Sequence, residues 1–106
     1  MDDVLAAMQR GFGEWLRSEG YELVEVPADT LAPQALEYRR QRPAGPELLT
    51  LSVHPSPPEV IAELWLARGP NQPLELLERA TWYCRPGRSP EPLVRIVLAT
   101  LAAWLN

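Results

Sequence analysis

The chain has 106 residues and a formal net charge of −4, with ten arginines and no lysine. Its single cysteine excludes an intrachain disulfide, and its longest apolar stretch, residues 93–105, is too short to cross a bilayer. Without lysine, Schiff-base catalysis and a lysine-dependent phosphate loop are also excluded. Because the start is acidic and no basic, apolar leader precedes it, we expect one cytoplasmic domain over residues 1–106.

Residues 3–19 are predicted to form a helix, because apolar side chains recur on one arc at helical spacing. The residues on that arc are Val4, Leu5, Met8, Phe12, Trp15 and Leu16. Gly20 follows the helix, where a left-handed residue commonly ends one. Gly11 and Gly13 each lower helix stability by about 1 kcal/mol relative to alanine, so we expect a neighbouring backbone to pass close beside them.

The middle of the chain reads mainly as strands. Residues 21–26 are rich in strand formers, and residues 48–54 alternate clearly between apolar and polar side chains. Residues 35–42 fit strand and helix spacing; the strand is favoured because residues 42–47 have the composition of a hairpin connection. Residues 60–67 are apolar at nearly every position, which is typical of a central strand.

The last third of the chain is predicted to contain two helices. Residues 73–80 begin with a proline and early acids, which favour a short helix, and residues 81–84 either extend it or form an edge strand. A final helix is predicted over residues 90–105, with Ser89 as its cap. Apolar residues cover about 200° of that helix, more than one packing partner normally covers. The part of this apolar surface that a single partner leaves uncovered is therefore expected to contact the first helix or another subunit.

These elements predict an α+β fold in two layers, with an antiparallel sheet of about four strands and the N- and C-terminal helices packed on one face. The element order is loosely similar to that of the small acidic chaperones of bacterial secretion systems. Layout alone assigns no function.

Three residues are candidates for chemistry. His54 and Cys84 could form an imidazole–thiolate pair, or they are a polar strand residue and a small buried one. Glu63, inside an apolar strand, could act as a general acid or base, or it faces solvent or pairs with an arginine. Zinc coordination needs more histidine and cysteine ligands than the chain offers. We therefore predict no catalytic, cofactor-binding or metal-binding residue.

The one basic cluster is Arg39, Arg40 and Arg42, which follows Tyr38. Arginines beside an aromatic residue are typical of surfaces that bind nucleic acid. The chain as a whole is acidic, however, so nucleic acid and membrane are not expected partners. A charged strand edge that resists aggregation explains the arginines.

The leading hypothesis is a non-enzymatic protein-interaction module, which could be an adaptor, chaperone-like or regulatory. It is expected to form a homodimer through the C-terminal helix or a sheet edge, without a cofactor. The predicted interaction residues are Trp82, Tyr83, Val94, Leu98, Leu101 and Leu105. The alternative is a small enzyme or ligand-binding domain with a pocket that uses His54, Glu63 or Cys84.

Overall fold

The protein forms a five-stranded antiparallel sheet with a helix at each end of the chain. The computed structural model describes residues 2–24, 34–43, 45–55, 58–69, 71–83 and 89–105. The elements are α1 (Asp2–Ser18), β1 (Glu22–Val24), β2 (Gln34–Arg42), β3 (Gly45–Pro55), β4 (Pro58–Ala67), β5 (Leu74–Tyr83) and α2 (Glu91–Leu105). The strands lie in chain order, β1-β2-β3-β4-β5. The α+β class is confirmed, with five strands where about four were expected.

One face of the sheet, together with both helices, builds the hydrophobic core. Tyr38, Leu49 and Leu64 are cross-strand partners, so their side chains share this face. They belong to a single buried cluster. Its other members include Met8, Phe12 and Leu16 of α1 and Val94, Val97 and Leu101 of α2. Both helices therefore pack on the same face of the sheet.

The opposite face of the sheet receives neither helix. A row of cross-strand partners on it runs through Arg39, Leu48, Trp65 and Leu76. Ile61 of the same face is buried, whereas Trp65 and Leu48 are half-buried. We call this the open face.

Gly20 ends α1 in the predicted left-handed conformation, with φ at +95°. The N–H of Tyr21 donates to the carbonyl of Leu16 at 3.0 Å, and the N–H of Gly20 donates to that of Arg17 at 3.0 Å. These two bonds form a Schellman motif, in which the residue after the glycine contacts the last turn of the helix. Tyr21 and Leu16 are both buried, so the motif directs Tyr21 into the core.

The two glycines within α1 have close neighbours, as expected. A Cβ atom at Gly11 would lie 2.7 Å from Cγ1 of Val94, so this glycine lets α2 approach α1. A Cβ atom at Gly13 would lie 3.7 Å from the hydroxyl of Tyr38. In both places the neighbour is a side chain and not the backbone that the sequence suggested.

Most of the large apolar side chains of α2 pack against the core of their own chain. The Ser89 cap of this helix is confirmed, since the Ser89 hydroxyl accepts a hydrogen bond from the N–H of Glu91 at 3.4 Å. Beyond the three buried residues, four others pack partly against the core: Leu93, Leu98, Trp104 and Leu105. Ile96 is 52% exposed. Less of the apolar surface of α2 is thus left exposed than its sequence indicated.

The prediction of a helix over residues 73–80 is wrong, because this segment belongs to β5 and pairs with β4. Trp65 pairs with Leu76 and Leu64 with Glu78, which leaves Leu77 as an extra residue in a β-bulge. The extra residue breaks the two-residue alternation of the strand. Leu74 and Leu77 are three residues apart, and this spacing is also typical of one face of a helix. The end of the predicted first strand, residues 25–26, lies outside the described residues.

Candidate functional site

Of the candidate residues for chemistry, His54 and Glu63 both lie on the open face but are not adjacent. His54 is opposite Glu59, whereas Glu63 is opposite Thr50 and Arg79. At a strand rise of about 3.3 Å per residue, this register separates His54 from Glu63 by about 13 Å. Nε2 of His54 lies 3.2 Å from the hydroxyl of Ser52. Cys84 lies outside the described residues, so its position relative to His54 is not defined.

The predicted interaction residues differ in their exposure. Val94 and Leu101 are buried in the core, and Leu98 and Leu105 are partly buried against it. Trp82 packs partly on the core. Tyr83 is 74% exposed and is opposite Glu59, on the open face. Of the six residues, Tyr83 presents the largest exposed fraction to a partner.

Two residues that sequence reasoning did not connect, Tyr21 and Glu47, form a buried polar cluster with two arginines. Glu47 is only 4% exposed. Its Oε2 accepts hydrogen bonds from the Tyr21 hydroxyl and from Nε and Nη2 of Arg40, the last two at 3.0 and 2.7 Å. Nε of Arg42 lies 3.3 Å from Oε1. Both carboxylate oxygens of Glu47 are thus occupied. We call these four residues the Glu47 cluster.

The Glu47 cluster joins the end of α1 to the hairpin of β2 and β3. The Arg40 guanidinium lies 4.4 Å from the centroid of the Tyr21 ring, and its Nη1 donates to the carbonyl of Glu19 at 2.9 Å. Burial, followed by the hydrogen bond to Glu47, raises the pKa of Tyr21 well above its ordinary value. The phenol therefore stays neutral near pH 7 and acts as a donor. Because each group already has its partner, we assign this cluster a structural role.

A cleft of about 370 Å³ lies between α1 and the β1–β2 side of the sheet. It is lined by Ala6, Gln9, Arg10, Gly13, Glu14, Arg17, Tyr21, Leu23 and Tyr38. Tyr38 is 3% exposed, and among the described residues its hydroxyl has no hydrogen-bond partner. Most buried polar groups do have one, so an unpaired hydroxyl in the wall of a cleft requires an explanation. We call this the Tyr38 cleft.

The electrostatics of the Tyr38 cleft favour an anion. Burial raises the pKa of Tyr38, while the nearby Arg17 guanidinium lowers it by a smaller amount. The net result is a neutral phenol that can donate a hydrogen bond. Arg10 and Arg17 contribute two cations to the lining and Glu14 one anion.

The second notable surface is the outer edge of the sheet. Strand β5 is the last in the strand order, and it runs for ten residues. Leu74, Leu76 and Leu77 on it are between 40% and 45% exposed. No strand of the described residues pairs with its outer side. We call this the β5 edge; Trp65, the cross-strand partner of Leu76, continues its apolar surface onto the open face.

Comparison of the chain with protein-family models, with curated proteins and with solved structures found no match. Among the residues that the structure describes, no group of three or more His, Cys, Asp and Glu side chains is placed to hold a metal ion. Neither α1 nor α2, the two helices described, is long and apolar enough to span a membrane. Function is therefore argued from the geometry of the chain itself.

Part of this geometry had a signal in the sequence. The sequence indicates a hairpin here, but the predicted connection, residues 42–47, is centred at 44.5, whereas Arg40 and Glu47 pair about a centre at 43.5. The pairing of these two residues therefore depends on a register that the sequence did not give. The same hairpin separates the basic cluster, because Arg40 and Arg42 turn toward Glu47 while Arg39 is on the open face. The contact of Tyr38 with Gly13 had no local signal, since it depends on how α1 lies on β2.

Proposed function

We propose that this protein is a non-enzymatic protein-binding module that works as a homodimer joined along its β5 edges. An adaptor, chaperone-like or regulatory protein could use such a dimer. The observation that carries the proposal is a ten-residue edge strand with three exposed leucines. An exposed apolar edge readily pairs with another strand unless something covers it.

The occupant that best fits the edge is a second copy of the same chain. Two β5 strands related by a two-fold axis run antiparallel, and residues equally distant from the axis are opposite each other. Each copy would cover the exposed leucines of the other, and the hydrogen bonds of the two edges would continue one sheet across both chains.

The exposed leucines would supply most of the association free energy. In this arrangement Leu74, Leu76 and Leu77 of each copy are covered by the edge of the other. Burial of apolar surface contributes about 25 cal/mol per Å².

Sedimentation velocity over a range of concentrations tests the dimer. The monomer has a mass of 11.9 kDa, so a dimer has twice that mass. Leu76→Glu and Leu77→Glu are each expected to weaken the dimer by about tenfold or more, because each places a charge in the apolar edge that the dimer would bury. Leu23→Glu makes the same change at a leucine of similar exposure on β1, at the other edge of the sheet, and serves as the control.

Two results would overturn the proposal. One is a wild-type protein that stays monomeric at ~1 mM, which would leave less than about 4 kcal/mol of association free energy. The other is a dimer that responds to Leu23→Glu as strongly as to Leu76→Glu. A dimer disrupted only by Ile96→Glu would move the interface to α2, where Ile96 is exposed.

A further inference from the structure

The hydroxyl of Tyr38 is the one buried side-chain polar atom without a partner in the part of the chain that the structure describes. It belongs to β2, near the opposite side of the sheet from β5, so it takes no part in the proposed dimer. Burial keeps the phenol protonated, which leaves it as a donor without an acceptor. The protein itself supplies no acceptor among these residues. A ligand that brings one would satisfy the group.

Space for such a ligand lies close to Tyr38, although the hydroxyl itself is screened from solvent. Gly13 of α1 lies over Tyr38, and the absence of a side chain there leaves part of the Tyr38 cleft empty. The volume of about 370 Å³ is in the lower part of the range of small-molecule sites. The exposed Gln9 side chain borders the same point, with its Cγ 3.7 Å from where a Cβ of Gly13 would be.

The charges around the cleft select the type of acceptor. Arg10 and Arg17 line it, and neither has an ion-pair partner among the described residues. Arginine binds carboxylate and phosphate oxygens through two parallel N–H donors. Glu14, also in the lining, disfavours a ligand of high negative charge.

We propose that the Tyr38 cleft binds a small organic anion through a single carboxylate or phosphate group. One oxygen of that group accepts the hydrogen bond from Tyr38, and Arg17 and Arg10 pair with the others. The apolar part of the ligand lies against Leu23 and Ala6. Because the Tyr38 hydroxyl has almost no contact with solvent, the ligand reaches it by displacing the Gln9 side chain.

Titrations followed by amide chemical shifts in two-dimensional NMR test this site. The probes are benzoate, inorganic phosphate and phenyl phosphate, with neutral benzamide as the matched control. Benzoate binding identifies a carboxylate site, and binding of phenyl phosphate alone identifies a phosphate site. Benzamide is expected to cause no shifts around residues 9–17 and 38.

Two variants, together with one control, test which side chains bind the anion. Tyr38→Phe removes only the hydroxyl and is expected to lower the affinity by about tenfold, because hydrogen bonds to charged groups are strong. Arg17→Gln is expected to lower it as well. Arg39→Gln removes an exposed arginine from the open face and is the matched control, with no expected change.

The proposal is overturned if none of the three anions shifts the cleft residues, or if folded Tyr38→Phe binds them as tightly as the wild type. Shifts caused equally by benzamide and benzoate would also overturn it, because they would show that charge is not recognised. The oligomeric state measured by sedimentation is independent of these outcomes, so the failure of either proposal can be recognised separately.

Discussion

Replacing Glu47 by glutamine tests whether the Glu47 cluster holds α1 to the sheet. The substitution keeps the size of the side chain but removes its negative charge. Arg40, with a side chain only 11% exposed, then has no counter-ion at Nη2. Removing one member of a buried ion pair typically costs about 3–5 kcal/mol, because the remaining charge stays desolvated. The amide oxygen retains one acceptor for Tyr21, so we expect a loss near the lower end, about 3 kcal/mol.

Urea denaturation followed by tryptophan fluorescence measures this loss. With a slope of about 1–3 kcal/mol per molar urea, the midpoint is expected to fall by about 1–3 M. Glu75→Gln breaks the exposed ion pair with Arg68 and is the matched control, with an expected change below about 1 kcal/mol. A loss for Glu47→Gln no larger than that of the control would refute the structural role of the cluster. The double variant Arg40→Met, Glu47→Leu is expected to recover part of the loss, since no buried charge is left uncompensated and the remaining Arg42 side chain is 45% exposed.

Further predictions concern the glycines and the two buried tyrosines. Gly13→Ala is expected to stabilise the protein by up to about 1 kcal/mol, since the added Cβ would lie 3.7 Å from its nearest neighbours. Gly11→Ala is expected to destabilise the protein, because the added Cβ would lie only 2.7 Å from Val94. Equal effects of the two substitutions in thermal denaturation would contradict this packing. Tyr38→Phe is expected to raise stability by about 1 kcal/mol, since it removes an unsatisfied hydroxyl, and a lower urea midpoint would show a hidden partner. Both tyrosines have a pKa above the ordinary 10.0, so the unfolded chain loses these protons first. Their contribution to stability is therefore complete below pH 10 and is lost as the pH rises further, and Tyr21→Phe should flatten that decline.

The sequence predicted those elements whose burial matches their own periodicity. Helix α1 and strand β3 each present one apolar face to a single core, so helical and two-residue spacing identified them directly. Strand β5 lacks such a face: its residues from Leu74 to Arg79 are all exposed, and a bulge shifts its phase at Leu77. Local composition then favoured a helix. Pairing with β4 overrides that preference, and this pairing is a tertiary effect that a local pattern does not contain.

The candidate sites divide in the same way. The Arg40–Glu47 pair lies in a hairpin that the sequence indicates, but the predicted connection is centred one residue too late to pair them, so only the hairpin itself was open to prediction. The Tyr38 cleft depends on the approach of α1 to β2, which places Gly13 over a residue 25 positions later in the chain. At helical spacing Arg10 and Arg17 lie on the side of α1 opposite its apolar arc, a position that by itself indicates only a face in contact with solvent. Only the packed structure shows that this face borders a cleft with an unsatisfied donor.

The strand order gives the two proposed surfaces different positions in any assembly. The Tyr38 cleft borders β1 and β2, whereas the proposed dimer joins β5, with β3 and β4 between them. Pairing of the β5 edges would therefore leave both clefts open, and one dimer would carry two anion sites. Because the two surfaces are not in contact, we expect no coupling between them, and benzoate or phenyl phosphate, whichever binds, should leave the dimer dissociation constant unchanged. A change in that constant would mean that each site alters the affinity of the other by the same factor, through a conformational change across β3 and β4.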